Sequence, residues 1–341
     1  MSVKNVSIKS VSMGEPVYIK TINRAPLNDN DREVLISGCK YLVDTVDELN
    51  EKYNTHAYRL KVILHNGYKP SLEIEIVKST TVLNMEIPIR NKNIDSIHIG
   101  YIIGVEKQIS GNTIISLAKQ FGRIINVEQI TLEDDSMLQG VCAFNIIDMK
   151  KLYILSTGIS WYNSKGFVSK SFDIEKQHNY QLLSLNIAEF LEYHCNRQPC
   201  NDNLNKFFEF FEKYNKQYPF LKENGLVLTK SMTVQEVFTR IKGYILRDMP
   251  RNRKSLHKMV CDHLRWLFKA IAEPSPEQRP NTHPYNILYN AFLTYNLIDT
   301  PPITRQSILR ISSSKRPSTR KTTSVRRRST KSMSRKRVTI G

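Results

Sequence analysis

The chain has 341 residues, 40% of them hydrophobic, and a formal net charge of +18. That length suits roughly two globular cores, and the absence of an apolar run approaching about 18 residues sets a membrane-spanning helix aside. Five scattered cysteines (Cys39, Cys142, Cys195, Cys200 and Cys261) suit free thiols in a reducing, intracellular compartment, and no apolar stretch near the N-terminus reads as a secretory signal.

From 28 to 53, Val34, Leu35, Cys39, Leu42, Val46 and Leu49 recur at three- and four-residue steps. With Asn28 or Asn30 as N-cap, this predicts an amphipathic helix. Four strand-like runs follow, HAYRLKVILH, SLEIEIVKS, TVLNMEIPI and DSIHIGYIIGV. Their separators NGYKP and NKN carry turn residues, so the runs predict an antiparallel meander. The period then changes: Ile114, Leu117, Ala118 and Phe121 share one side of a helix predicted over 110–124. A strand ending in Glu133, Asp134 and Asp135 comes next, and 137–160 has room for an extra turn or strand. After Phe167 a strand-like run, VSKSFDI, precedes helical patterns at 180–195, 203–218, 233–246, 254–273 and 283–296. The expected class is α+β. A mixed sheet with flanking helices fills 1–178, an all-helical domain 179–300, and a disordered basic tail 301–341.

The passage into the helix at 110 has chemical interest. A strand that turns through a glycine into a helix presents unpaired backbone N–H groups and the positive end of the helix dipole. Gln108, Ser110, Gly111, Asn112 and Thr113 form such a turn, either an ordinary cap with Ser110 as N-cap or a cradle for a phosphate. Downstream lies SWYNSKGF, 160–167. Its Tyr162 either anchors a half-buried cluster beside Trp161 and Phe167 or faces a substrate as a general acid. Glu133 and Asp135 share one face of their strand. They are either a solvated strand end or candidates for a general base, with Glu106 as the alternative.

Order and motifs together resemble the GNAT family of acyl-CoA-dependent N-acetyltransferases over about 55–170. That family opens its coenzyme-A-binding helix with Arg/Gln-x-x-Gly-x-Gly/Ala; Gln108 and Gly111 match it, and Thr113 stands at the last position. Its Tyr-x-x-x-Gly-Phe pattern is matched by Tyr162, Gly166 and Phe167. The segment between Ser136 and Tyr162 is longer than the family's. The resemblance implies a GNAT-like sheet and acetyl-CoA held at 108–113. It also implies Tyr162 as proton donor to the departing thiolate and an amine substrate, a protein amine being one candidate. The Asn/Ile/Lys-rich body and the Ser/Arg/Lys tail also resemble proteins of large nucleocytoplasmic DNA viruses, which implies a viral factory or virion as location.

No Gly-x-Ser-x-Gly, Walker A or His-Glu-x-x-His pattern occurs, which removes serine-hydrolase, P-loop and zincin readings. His194, Cys195 and Cys200, and His257, Cys261 and His263, lack the spacing of a zinc knuckle, so no metal is expected.

From Arg310 to Gly341 there are twelve Lys/Arg and no acid, and removing those twelve from +18 leaves about +6 for the other 309 residues. Lys315, Arg316, Arg320, Lys321, Arg326, Arg327, Arg328, Lys331, Arg335, Lys336 and Arg337 can pair with phosphates. Without aromatic neighbours they cannot stack on bases. The tail is expected either to bind nucleic acid non-specifically, with steep salt dependence, or to act as a solubilising or nuclear-targeting segment. The function expected is a GNAT-like acyltransferase tethered to nucleic acid; the alternative is a non-enzymatic structural or packaging protein.

Overall fold

The computed structural model describes residues 16–103, 109–135, 137–138, 147–195, parts of 208–216, 227–248, positions 268 and 271, and 283–298. The expected tail, with its eleven named cations, lies outside the described residues, as do Glu106 and Gln108.

Two N-terminal helices, α1 (Val17–Asn23) and α2 (Asp29–Lys52), precede four strands: β1 (Arg59–His65), β2 (Ser71–Val77), β3 (Thr81–Pro88) and β4 (Ser96–Ile102). The N-cap of α2 is Asn28, whose side chain accepts from the Asp31 amide at 2.8 Å. Leu35, Cys39, Leu42, Val46 and Leu49 are buried along one stripe, as their spacing predicts. The meander is antiparallel throughout, with Val62 opposite Ile74 and Ile74 opposite Met85. Helix α3 (Gly111–Ile124) then carries the chain to β5 (Gln129–Glu133), which pairs parallel to β4. A six-stranded sheet results, in the order β1-β2-β3-β4-β5-β8, where β8 (Phe292–Asn296) pairs antiparallel to β5.

Strand alternation sorts the two faces. Ile74, Met85, Ile97, Ile130 and Tyr295 are buried on one face beneath the helices, in the same cluster as Leu35 and Phe121. The other face is polar: Lys61 reaches Glu75 at 2.8 Å, His65 reaches Glu73 at 2.8 Å, and the Asn84 amide donates to Glu73.

After β5 come a short hairpin, β6 (Met137–Leu138) with β7 (Ile147–Asp148), and helix α4 (Met149–Thr157). The hairpin fills the room predicted there, whereas α4 is unforeseen. Helices α5 (Phe172–Leu183), α6 (Ile187–Cys195) and α7 (Val234–Gly243) follow. Leu152, Leu155, Phe190 and Phe238 belong to a second buried cluster. That cluster takes in α4, while the sheet takes in β8, so neither is built from one continuous stretch.

Three expected elements change. The single helix at 180–195 is two, because the Asn186 side chain accepts from the Ala188 amide at 2.8 Å and starts a new helix. The backbone on either side of Asn186 pairs with Met232 and Val234. VSKSFDI is strand only at Val168, which bridges Thr294; Ser169 and Ser171 then donate to Glu175 and begin α5. Of the helix expected at 283–296, Phe292–Asn296 is the strand β8 and 283–291 is turn and irregular chain. Among the described residues no helix is long and apolar enough to cross a membrane.

Candidate functional site

The parallel pair sets the site. β4 and β5 are in register only from Ser96↔Gln129 to Ile99↔Leu132. Beyond that point β4 stays with β3, Tyr101 opposite Asn84, and β5 stays with β8, Glu133 opposite Phe292. The register between β3 and β4 shifts where Gly100 stands as an extra residue, a bulge that bends β4 away. The parallel pairing thus ends at Ile99 and Leu132, one residue before β5 itself ends at Glu133. Tyr101, Ile103 and Phe292 are exposed at this end.

Helix α3 is the next element described after β4, and 104–108 between them lie outside the described residues. Ser110 is its N-cap, as predicted, and accepts from the Thr113 amide at 3.2 Å; the two hydroxyls share a 2.9 Å hydrogen bond. The Ile114 amide donates to the Ser110 carbonyl. Among the described residues this leaves the amides of Gly111 and Asn112 for a ligand. Ser110 and Asn112 are exposed and Thr113 is buried. Loss of this cap is measurable: Ser110→Ala should lower stability in urea unfolding by about 1 kcal/mol, and an unchanged midpoint would show that the cap is idle.

Over Gly111 lies Trp161. A Cβ added to Gly111 would stand 3.0 Å from the indole, so the ring would have to give by a few tenths of an ångström to admit it. SWYNSKGF is thus brought to the first turn of α3, but with Trp161, not Tyr162, as the contact. Lys165 stands over the same indole, its Nζ 5.6 Å from the ring centre.

The spacing of SWYNSKGF has a structural cause. Asn163–Lys165 is one turn of 3-10 helix, closed by Gly166 at φ 85°, a left-handed conformation suited to glycine. The Phe167 amide then donates to the Tyr162 carbonyl at 3.2 Å. Asn163 staples the turn, accepting from the Ser160 amide at 3.0 Å and donating to the Phe167 carbonyl at 2.9 Å. Phe167 folds back edge-on to Tyr162, ring centres 6.2 Å apart, and Tyr162 meets Trp161 edge-on at 4.8 Å. Tyr162 is buried, and burial, with the negative charge of Asp134 adding to it, raises its pKa well above the ordinary phenol value.

Glu133 and Asp135 are exposed, whereas Asp134 between them is 1% exposed. Sequence reasoning chose the outer pair; the buried acid whose charge acts on Tyr162 is the one it passed over. Asp134 is fixed through its backbone, its amide donating to Ala291 at 2.8 Å and its carbonyl accepting from Lys150 at 3.0 Å. Lys119 was also missed. It is buried on α3, four residues after Ile115 and three before Gly122, and that alignment with an inward-facing stripe was the available signal. His194 is buried and bonds the Tyr285 carbonyl at 2.8 Å.

The chain matches no known family description, no curated protein and no solved structure.

Proposed function

We propose that the chain is a GNAT-like acyl-CoA-dependent N-acyltransferase whose basic tail tethers it to nucleic acid. The observation that carries this reading is the parallel β4–β5 pair, whose pairing stops at Ile99 and Leu132 with the first turn of α3 at the same end of the sheet. The Gly111 and Asn112 amides, flanked by Ser110 and Thr113, suit the pyrophosphate of coenzyme A. Bound acetyl-CoA would supply the activated acyl group. Glu133 or Asp135, exposed at the end of β5, would take the proton of an incoming protein amine, directly or through water. Tyr162 holds its proton too firmly to release it readily to a thiolate, since an ordinary thiol titrates at about 8.5. Its phenol suits hydrogen-bond donation better than outright proton transfer.

In this reading α4 to α7 belong to an all-helical domain, and Lys315, Arg316 and the other tail cations pair with phosphates. The viral factory or virion, or the nucleus, is where such a tail would work. A second reading, a non-enzymatic packaging protein on the same fold, is favoured by Trp161 covering Gly111 and by the burial of Tyr162.

Titration calorimetry of the full chain with acetyl-CoA separates the two. Saturable binding is expected, weakened about tenfold or more by Asn112→Asp, which sets a negative charge where the pyrophosphate would lie, a loss of about 1.4 kcal/mol or more. Asn112 is exposed and an acid favours a helix N-terminus, so the variant should fold. A folded chain that takes up no acetyl-CoA leaves only the packaging reading.

A further inference from the structure

Long cationic side chains ordinarily bury their stems and keep their heads in water. Arg123, in the last turn of α3, does the reverse. The residue is partly exposed, yet its Nε, Nη1 and Nη2 are all shut off from solvent and none of them donates a hydrogen bond. One turn back on the helix, the Oε1 of Gln120 is likewise buried and accepts none. An unpartnered polar atom is costly to bury, and an unpartnered charge far more so.

Residues three and four apart on a helix are neighbours, so Arg123 stands beside both Gln120 and Lys119. The Lys119 ammonium is held over the Tyr295 and Phe167 rings, where it donates to the Lys165 carbonyl. Among the described residues no carboxylate pairs with Arg123 or Lys119. The charges that act on Lys119 are both positive, Arg123 and Lys165. The chain thus gathers three cations and one idle acceptor, and supplies no anion to them. Buried groups left in this state mark the place of a ligand.

We propose that Arg123, Gln120 and Lys119 form a binding site for a phosphate group that keeps one proton. The planar fork of Arg123 takes two phosphate oxygens side by side. The remaining P–OH gives Gln120 Oε1 the donor it lacks. Lys119 and Lys165 add positive charge, which favours a phosphate over a singly charged carboxylate. The Arg123 stem meets solvent, so the fork lies one side chain deep and no backbone need move to admit the group. The site is at the other end of α3 from Gly111 and Asn112, and it stands whatever the first turn holds.

Urea unfolding of the full chain at neutral pH tests this, in inorganic phosphate, sulfate or acetate at one ionic strength. Phosphate and sulfate stabilise proteins in general by exclusion from their surfaces, so the reading is the difference between the two. Phosphate should raise the midpoint more than sulfate, which has no proton for Gln120, and acetate should do least. Above saturation each tenfold increase in phosphate should add about 1.4 kcal/mol. Arg123→Met keeps a good helix former, loses the fork and should reduce the phosphate response to that of sulfate. Equal responses to phosphate and sulfate in the native chain, a larger one to acetate, or an unchanged difference in Arg123→Met overturns the site. Should the methionine variant fail to fold, Gln120→Leu decides: the preference for phosphate over sulfate should vanish, and its persistence overturns the site equally. Glycerol 2-phosphate acting as well as phosphate assigns the site to a monoester, and phosphate acting alone assigns it to the free ion.

Discussion

Replacing Phe167 by alanine should destabilise the protein by about 3–5 kcal/mol, the usual cost of emptying a fully buried phenylalanine site. The side chain is 0% exposed and contacts three partners that cannot readily close over the gap. Tyr162 is held by the 3-10 turn, Tyr295 by its pairing with Ile130, and Lys119 by the Lys165 carbonyl. The void would face a buried ammonium, so water entering it would recover part of the loss by solvating the charge. The low end of the range is therefore expected below pH 8, and the high end above it, where Lys119 becomes neutral in the folded chain. Phe167→Leu keeps most of the volume and should cost about 1–2 kcal/mol. Urea unfolding of both variants at two pH values gives the comparison. A loss under about 1 kcal/mol for Phe167→Ala would mean that SWYNSKGF is not a packing element.

Some of this was legible in the sequence because local period and burial agree. The stripe of α2, the alternation of β1 to β4 and the cap of α3 need no distant partner to be recognised, and each stands where its pattern puts it. The stretch 283–296 is different. Ile287, Leu288, Phe292, Leu293 and Tyr295 fit a helical period, but pairing with β5 fixes an alternation in which Leu293 and Tyr295 are buried and Phe292 is exposed. A partner more than 150 residues away in sequence makes that choice, and no local window contains it. The acidic strand end shows the same limit. Alternation says that Asp134 opposes Glu133 and Asp135, and only the tertiary fold says which side is inside. For SWYNSKGF the spacing was visible, but its cause, a left-handed Gly166 closing a turn, is structural before it is chemical.

The other large effect belongs to Asn179, which fastens the returning segment to α5. Its amide donates to the Leu288 carbonyl at 2.8 Å and its oxygen accepts from the Leu288 amide at 3.0 Å, so one side chain replaces a strand partner for that residue. Asn179 is 2% exposed, and nearby His178 bonds the Asn286 carbonyl at 2.8 Å. Asn179→Ala strands two buried backbone groups at about 1–3 kcal/mol each, for a loss on the order of 2–4 kcal/mol in urea unfolding. Asn179→Asp should be worse at neutral pH, because a carboxylate cannot donate to the Leu288 carbonyl and is costly to bury. Protonation restores that donor. Burial raises the carboxyl pKa in the folded chain above its unfolded value, so the deficit of Asn179→Asp relative to the native chain should shrink as the pH falls toward about 4. Asn179→Ala has no such group and should keep a constant deficit. Parallel pH profiles for the two variants would show that Leu288 does not depend on this side chain. Convergence of the aspartate variant alone would show that it does, and with it the seat of β8, whose Phe292 stands opposite Glu133.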